Sequence, residues 1–157
     1  KLKMAVTTDV TGADPVKGKT GKDDSSFQVW FTVRDGLANG DRNTLDPKND
    51  KVFLFGYYYG GAVPNENRTA GSIYENWYSN KNIVVATLPE AKQLLLNNQD
   101  MLGKVQNFNR NLADDLQKAF PERSIKDMEI VGITIQHDSN DTESKSETFF
   151  KSLEFLN

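Results

Sequence analysis

Phe27-Gln28-Val29-Trp30-Phe31-Thr32-Val33, closed by Arg34-Asp35-Gly36, is the stretch on which the fold turns. Its β-branched and aromatic residues suit a pleated, half-buried surface, and Arg-Asp-Gly is a turn signal, so it reads as a strand. Downstream, Val52-Phe53-Leu54-Phe55-Gly56-Tyr57-Tyr58-Tyr59 is apolar at successive positions, hence on both faces, the mark of a strand central in its sheet. Asn39-Gly40 and Asp46-Pro47 supply turn formers before it, and Gly60-Gly61 ends it. Met128 to Gln136, with Ile130, Val131, Ile133 and Ile135, reads as a further core strand.

Around these, Leu2 to Val6 and Glu147 to Phe155 alternate with period two, and Ser72 to Tyr78 and Asn82 to Thr87 read as two more strands. Asp9 to Asp24, Pro64 to Gly71 and His137 to Ser146 are polar loops. The clearest helix is Asn111 to Phe120: Leu112, Leu116 and Phe120 recur at four-residue spacing, Asp114 and Asp115 favour the helix start, and Pro121 stops it. Pro89 followed by Glu90-Ala91-Lys92-Gln93-Leu94-Leu95-Leu96 holds good helix formers broken early by Asn97-Asn98, from which we expect a short helix or an irregular crossover. About seven strands and one short helix predict an all-β (mostly β) fold, a jelly-roll-like antiparallel β-sandwich, as one domain over residues 1–157. Its two sheets are expected to close over Trp30, Phe53, Phe55, Ile133 and Ile135.

The composition narrows the function classes. Nine Phe, five Tyr and two Trp in 157 residues provide the aromatic area of a sandwich core. A net charge of −3 with both signs scattered leaves no basic stripe for phosphates, which disfavours nucleic acid as a partner. The absence of cysteine removes disulfides, thiolate catalysis and Cys-type metal sites. Apolar runs such as Lys51 to Tyr59 fall far short of the roughly 20 residues that span a bilayer. The chain opens on Lys1 with neither Met nor a cationic-then-apolar leader, which reads as a product whose export signal has been removed.

Four local patterns, in order, resemble a known family. Gly21-Lys22-Asp23-Asp24 leads into Phe27-Gln28-Val29-Trp30-Phe31, and Trp77-Tyr78-Ser79-Asn80 follows a polar loop. Arg110-Asn111 precedes Asp114-Asp115 and Phe120-Pro121, and Ile130 to Ile135 runs into Asp138-Ser139-Asn140-Asp141-Thr142. Together they resemble the domain-of-unknown-function family numbered three thousand and forty-seven, exported bacterial proteins, over roughly Lys22 to the C-terminus. The resemblance implies a secreted or periplasmic location and supplies no catalytic residues. Only Leu2 to Val6 precede the Asp23-Asp24 segment, where that family carries several strands, so N-terminal strands are expected to be missing. The family's Asp-x-Asp-Asn-Thr also stands here with its middle acid and amide exchanged.

Three groups of residues could carry chemistry. Asp138, Asn140 and Asp141, joined by Asp23 and Asp24, gather the oxygen ligands that calcium prefers, although the same residues are ordinary Asx-turn formers. Tyr57, Tyr59, Trp77 and Tyr78, with Asn80, are candidates for ligand binding, since flat rings stack on the apolar face of a sugar while an amide bonds its hydroxyls. The alternative is that the rings are core packing. His137 is the sole histidine; with Tyr57 or Tyr59 and Arg34 it could form a lyase-type site in which a base removes the proton beside a uronate, or it is a surface residue at a strand end. The leading expectation is a non-catalytic domain that binds carbohydrate through exposed aromatics. The alternatives are a jelly-roll enzyme acting on acidic polysaccharide, and a cell-surface structural or assembly domain with an open sheet edge.

Overall fold

The computed structural model describes residues 1–8, 24–35, 51–59, 69–75, 81–83, 86–88, 90–97, 102–139 and 143–156. Its strands are β1 (Leu2–Thr8), β2 (Ser25–Asp35), β3 (Lys51–Tyr59), β4 (Ile73–Glu75), β5 (Lys81–Ile83), β6 (Ala86–Leu88), β7 (Ala91–Asn97) and β8 (Gln106–Phe108). Helix α1 (Leu112–Ala119) and a 3-10 turn (Ile125–Asp127) then precede β9 (Met128–Asp138) and β10 (Glu147–Leu153). One principal sheet has the order β4-β7-β3-β2-β9, the other β10-β1-β8, and β5 and β6 pair as a small ribbon. The fold is an all-β sandwich with one short helix.

Alternation along β2 and β3 builds the core. Phe27, Val29, Phe31 and Val33 stand opposite Tyr59, Tyr57, Phe55 and Phe53, and all eight project to one face. Leu94 and Leu96 of the neighbouring β7 extend that face, and across it lie Leu2, Met4 and Val6 of β1 and Leu116, Ala119 and Phe120 at the helix. The rings pack edge to face, Phe31 on Tyr57 at 5.8 Å and Phe55 on Tyr57 at 5.3 Å between centroids. On the other face of β2 sits Trp30, which explains the glycine interrupting the aromatic run of β3: a Cβ on Gly56 would stand 2.7 Å from Trp30 Cε3.

Three expectations need correcting. Asn82 to Thr87, read as one strand, is divided between β5 and β6, which pair antiparallel with Asn82 opposite Thr87. Ala91 to Asn97 is a strand rather than a helix or irregular crossover, and it pairs parallel to β3 in an otherwise antiparallel sandwich. Helix propensity there is overridden by burial, because Leu94, Leu95 and Leu96 are covered on both faces of a strand lodged between β3 and β4. Of the five residues expected at the centre of the core, Trp30, Phe53 and Phe55 are buried, but Ile133 and Ile135 are each 47% exposed. Both face the core side opposite Phe31 and Val29, yet β9 is the edge of its sheet among the described residues and Phe150 of β10 stacks over β2, on Phe27, rather than over β9.

Helix α1 forms where the spacing predicts it. Asn111 caps it, its side-chain oxygen accepting from the Ala113 and Asp114 amides at 3.1 and 3.4 Å. The far end is tied down by Lys92, whose Nζ donates to the Ala119 carbonyl at 2.8 Å and lies over the Phe120 ring. Among the described residues, no helix is long and apolar enough to cross a membrane.

Candidate functional site

Where the two sheets meet the start of α1 the sandwich is not filled. A pocket of about 510 Å³ opens there, walled by Val29 and Phe31 of β2, Tyr57 of β3, Leu96 of β7, and Leu2 and Leu153 of the opposing sheet. Phe108 and Leu112 close one side. Lys1, Asn109, Arg110, Asn111, Glu154 and Phe155 also line it, with Ala113 and Leu156. Phe155 rests edge-on against Phe31, with centroids 6.4 Å apart, and is 59% exposed.

A three-residue relay connects the pocket wall to its polar side. The Tyr57 hydroxyl donates to Asp115 Oδ2 at 2.7 Å, Arg110 Nε donates to the same oxygen at 2.9 Å, and Arg110 Nη2 donates to Asp115 Oδ1. The side chain of Asp115 is 7% exposed and that of Arg110 36%. A carboxylate so enclosed must be paired, and the side-on fork of Arg110 is the geometry that pairs it best. Burial, with the Asp115 hydrogen bond and charge behind it, pushes the Tyr57 phenol far above its ordinary value. The hydrogen bond to Asp115 likewise raises Arg110, against an opposing effect of burial. Both groups therefore keep their protons throughout the physiological range.

Helix geometry places this relay. Leu112, Asp115, Leu116 and Ala119 share one face of α1, since positions three and four apart are neighbours on a helix. Asp115 is thus an acid on the apolar stripe, directed at β3 instead of solvent. That spacing was a readable signal: the sequence reading gave Asp115 a role only at the helix start and gave Arg110 none.

The residues expected from the sequence separate. Tyr57 lines the pocket, whereas Tyr59, on the same face, is fully buried in the core cluster and is not an exposed platform. The rings of β3 are covered because that strand lies at the middle of its sheet, between β7 and β2. Trp77, Tyr78 and Asn80 lie outside the described residues. Arg34 is buried, bonded to Glu129 Oε2 at 2.6 Å, on the face of β2 away from the pocket. His137 is exposed, its Nε2 2.7 Å from Ser146 Oγ, a partner that sequence spacing did not reveal. Arg34 pairs with Glu129 across the sheet, and from 129 to 137 the strand runs roughly 26 Å at its usual rise, so Arg34 and His137 do not share a site.

Of the candidate calcium ligands, Asp24, immediately before β2, is buried and Asp138, at the end of β9, is half-buried, and the Ser25–Asp138 pairing joins the two strands there. Asp23, Asn140 and Asp141 lie outside the described residues. Among the described residues no three His, Cys, Asp or Glu side chains gather as a metal site. Comparison of the chain with family models, with curated proteins and with solved structures finds no match.

Proposed function

We propose that the chain is a non-catalytic, carbohydrate-binding domain of an exported protein, with its ligand seated in the pocket between the sheets. The observation that carries this reading is the pocket itself. Its volume of about 510 Å³ falls within the roughly 300–1,000 Å³ common for small-molecule sites, and its apolar walls meet polar groups on one side. Phe31, Tyr57, Phe108 and Phe155 offer rings to the C–H face of a sugar, while Asn109, Arg110, Asn111 and Glu154 offer hydrogen bonds to its hydroxyls. The export half of the proposal rests on the sequence resemblance.

A binding role fits the chemistry of the relay better than a catalytic one. Tyr57 and Arg110 hold their protons, and Asp115 already accepts from three donor atoms, so none of the three serves as a general base near neutral pH. The lyase alternative loses its candidate set through the distance between Arg34 and His137.

Affinity-gel retardation on a panel of immobilised glycans tests the reading. We expect retention by at least one glycan, lost on Asn109→Trp at the exposed lining of the pocket and kept in Trp77→Ala. Retention lost instead in Trp77→Ala would return the ligand to the aromatic cluster expected from the sequence. Migration unaffected by every glycan would contradict the proposal.

A further inference from the structure

We infer that the pocket takes a sugar bearing a hydrocarbon substituent, an alkyl or aryl glycoside, with the hydrocarbon lodged between the sheets and the sugar held at the mouth. This rests on the pocket reading above and names its class of ligand. The lining is divided by polarity. Leu2, Val29, Phe31, Tyr57 and Leu96, drawn from β1, β2, β3 and β7, are buried, whereas Lys1, Asn109, Arg110, Asn111 and Glu154 are exposed. Hydrogen-bonding side chains thus stand at the mouth and apolar ones make the floor.

The floor has little to offer a hydroxyl. Val29 is paired between Tyr57 and Ile135, Phe31 between Phe55 and Ile133, and Leu2 between Leu153 and Phe108, so the backbone groups there are committed to the sheets. Tyr57 carries the one polar side-chain atom among the five floor residues, and its hydrogen is given to Asp115 at 2.7 Å. An unsubstituted pyranose has hydroxyls around its whole rim, and seated on the floor it would lose water from some of them without a replacement. A hydrocarbon group forfeits no hydrogen bond there and gains by leaving water. The mouth has the complementary character. Asn109, Arg110 and Asn111 are consecutive between β8 and α1, and the exposed Phe155 ring, edge-on to Phe31, offers a surface on which a sugar can stack.

Calorimetric titration of the whole chain with methyl, butyl, hexyl and octyl β-glucosides and β-galactosides, each below its micelle concentration, reads the preference. For at least one of the two sugars we expect affinity to rise roughly fourfold for each added methylene until the floor is filled, with a heat-capacity change that grows more negative along the series. Octanol, which lacks the sugar, should bind at least about tenfold more weakly than the octyl glycoside. Leu153→Trp, at a half-buried wall position, should bring the plateau at a shorter chain while the methyl glycoside binds as before. Leu112→Trp, half-buried on the helix side, serves the same purpose if Leu153→Trp does not fold. Equal affinity from methyl to octyl, or an octyl preference untouched in both variants, would overturn the inference while leaving the pocket reading in place. Octanol binding as tightly as the octyl glycoside, or no binding by any glycoside, would end the carbohydrate reading and the inference with it.

Discussion

The hydroxyl of Tyr57 reaches across 58 positions of chain to donate to Asp115 at 2.7 Å, so that the central strand β3 and the helix α1 share one buried hydrogen bond. That bond and the Arg110 fork jointly satisfy a carboxylate that would otherwise be stranded in an apolar interior.

Removing the carboxylate should cost more than removing the phenol oxygen. Asp115→Ala leaves the Tyr57 hydroxyl without its acceptor and Arg110 without its counter-ion, and should lower stability by about 2–4 kcal/mol. Tyr57→Phe should cost about 1 kcal/mol, because Arg110 still pairs the acid. Urea unfolding of both variants and their double mutant measures the coupling, which should be positive.

Alkaline titration should expose Tyr57. Its folded phenol is raised above the unfolded value of about 10, so its contribution to stability is fully present below that pH and declines as pH rises beyond it, while the unfolded chain releases the proton first. Urea midpoints measured between pH 9 and pH 11 should therefore fall more steeply for the unaltered protein than for Tyr57→Phe. Parallel curves would contradict the placement of this ring.

At the other end of the helix, Arg123 lies over the Phe53 ring with its guanidinium carbon 4.6 Å from the centroid, bonds Glu90 at 2.6 Å and pairs with Asp35. It thereby fastens the segment after α1 to the ends of β2 and β7. Arg123→Ala should destabilise by about 1–3 kcal/mol, and Arg123→Lys should recover only part of that loss, since an ammonium cannot both stack and fork. Thermal unfolding of the two variants checks the order.

Gly56→Ala tests the packing behind β3. The added methyl would stand 2.7 Å from Trp30 Cε3, which forces the indole or the strand to move and should cost about 1–3 kcal/mol. Trp30→Leu in the same chain should relieve part of it. An unchanged midpoint in Gly56→Ala would contradict the close approach.

The strands were readable wherever period and burial agreed. Phe27 to Val33 and Val52 to Tyr59 carry aromatic and β-branched residues on the face that the core requires, and their pairing follows from that pattern. Glu90 to Leu96 was not readable, because its composition favours a helix and only the slot between β3 and β4 makes it a strand. Ile133 and Ile135 illustrate the opposite failure: an apolar alternation identifies the strand but not whether the other sheet extends over it. The pocket was half legible. Tyr57 stood out as an aromatic, but its partner was concealed in Asp114-Asp115, where the first-turn role of an acid is the simpler reading.

The most direct test of the central claim is methyl NMR of Leu96 and Leu153, which line the pocket from opposite sheets. On titration with a glycan that the protein retains, both resonances should shift together and saturate at one affinity. Retention of that glycan with both methyls unmoved would place the ligand elsewhere and contradict the account.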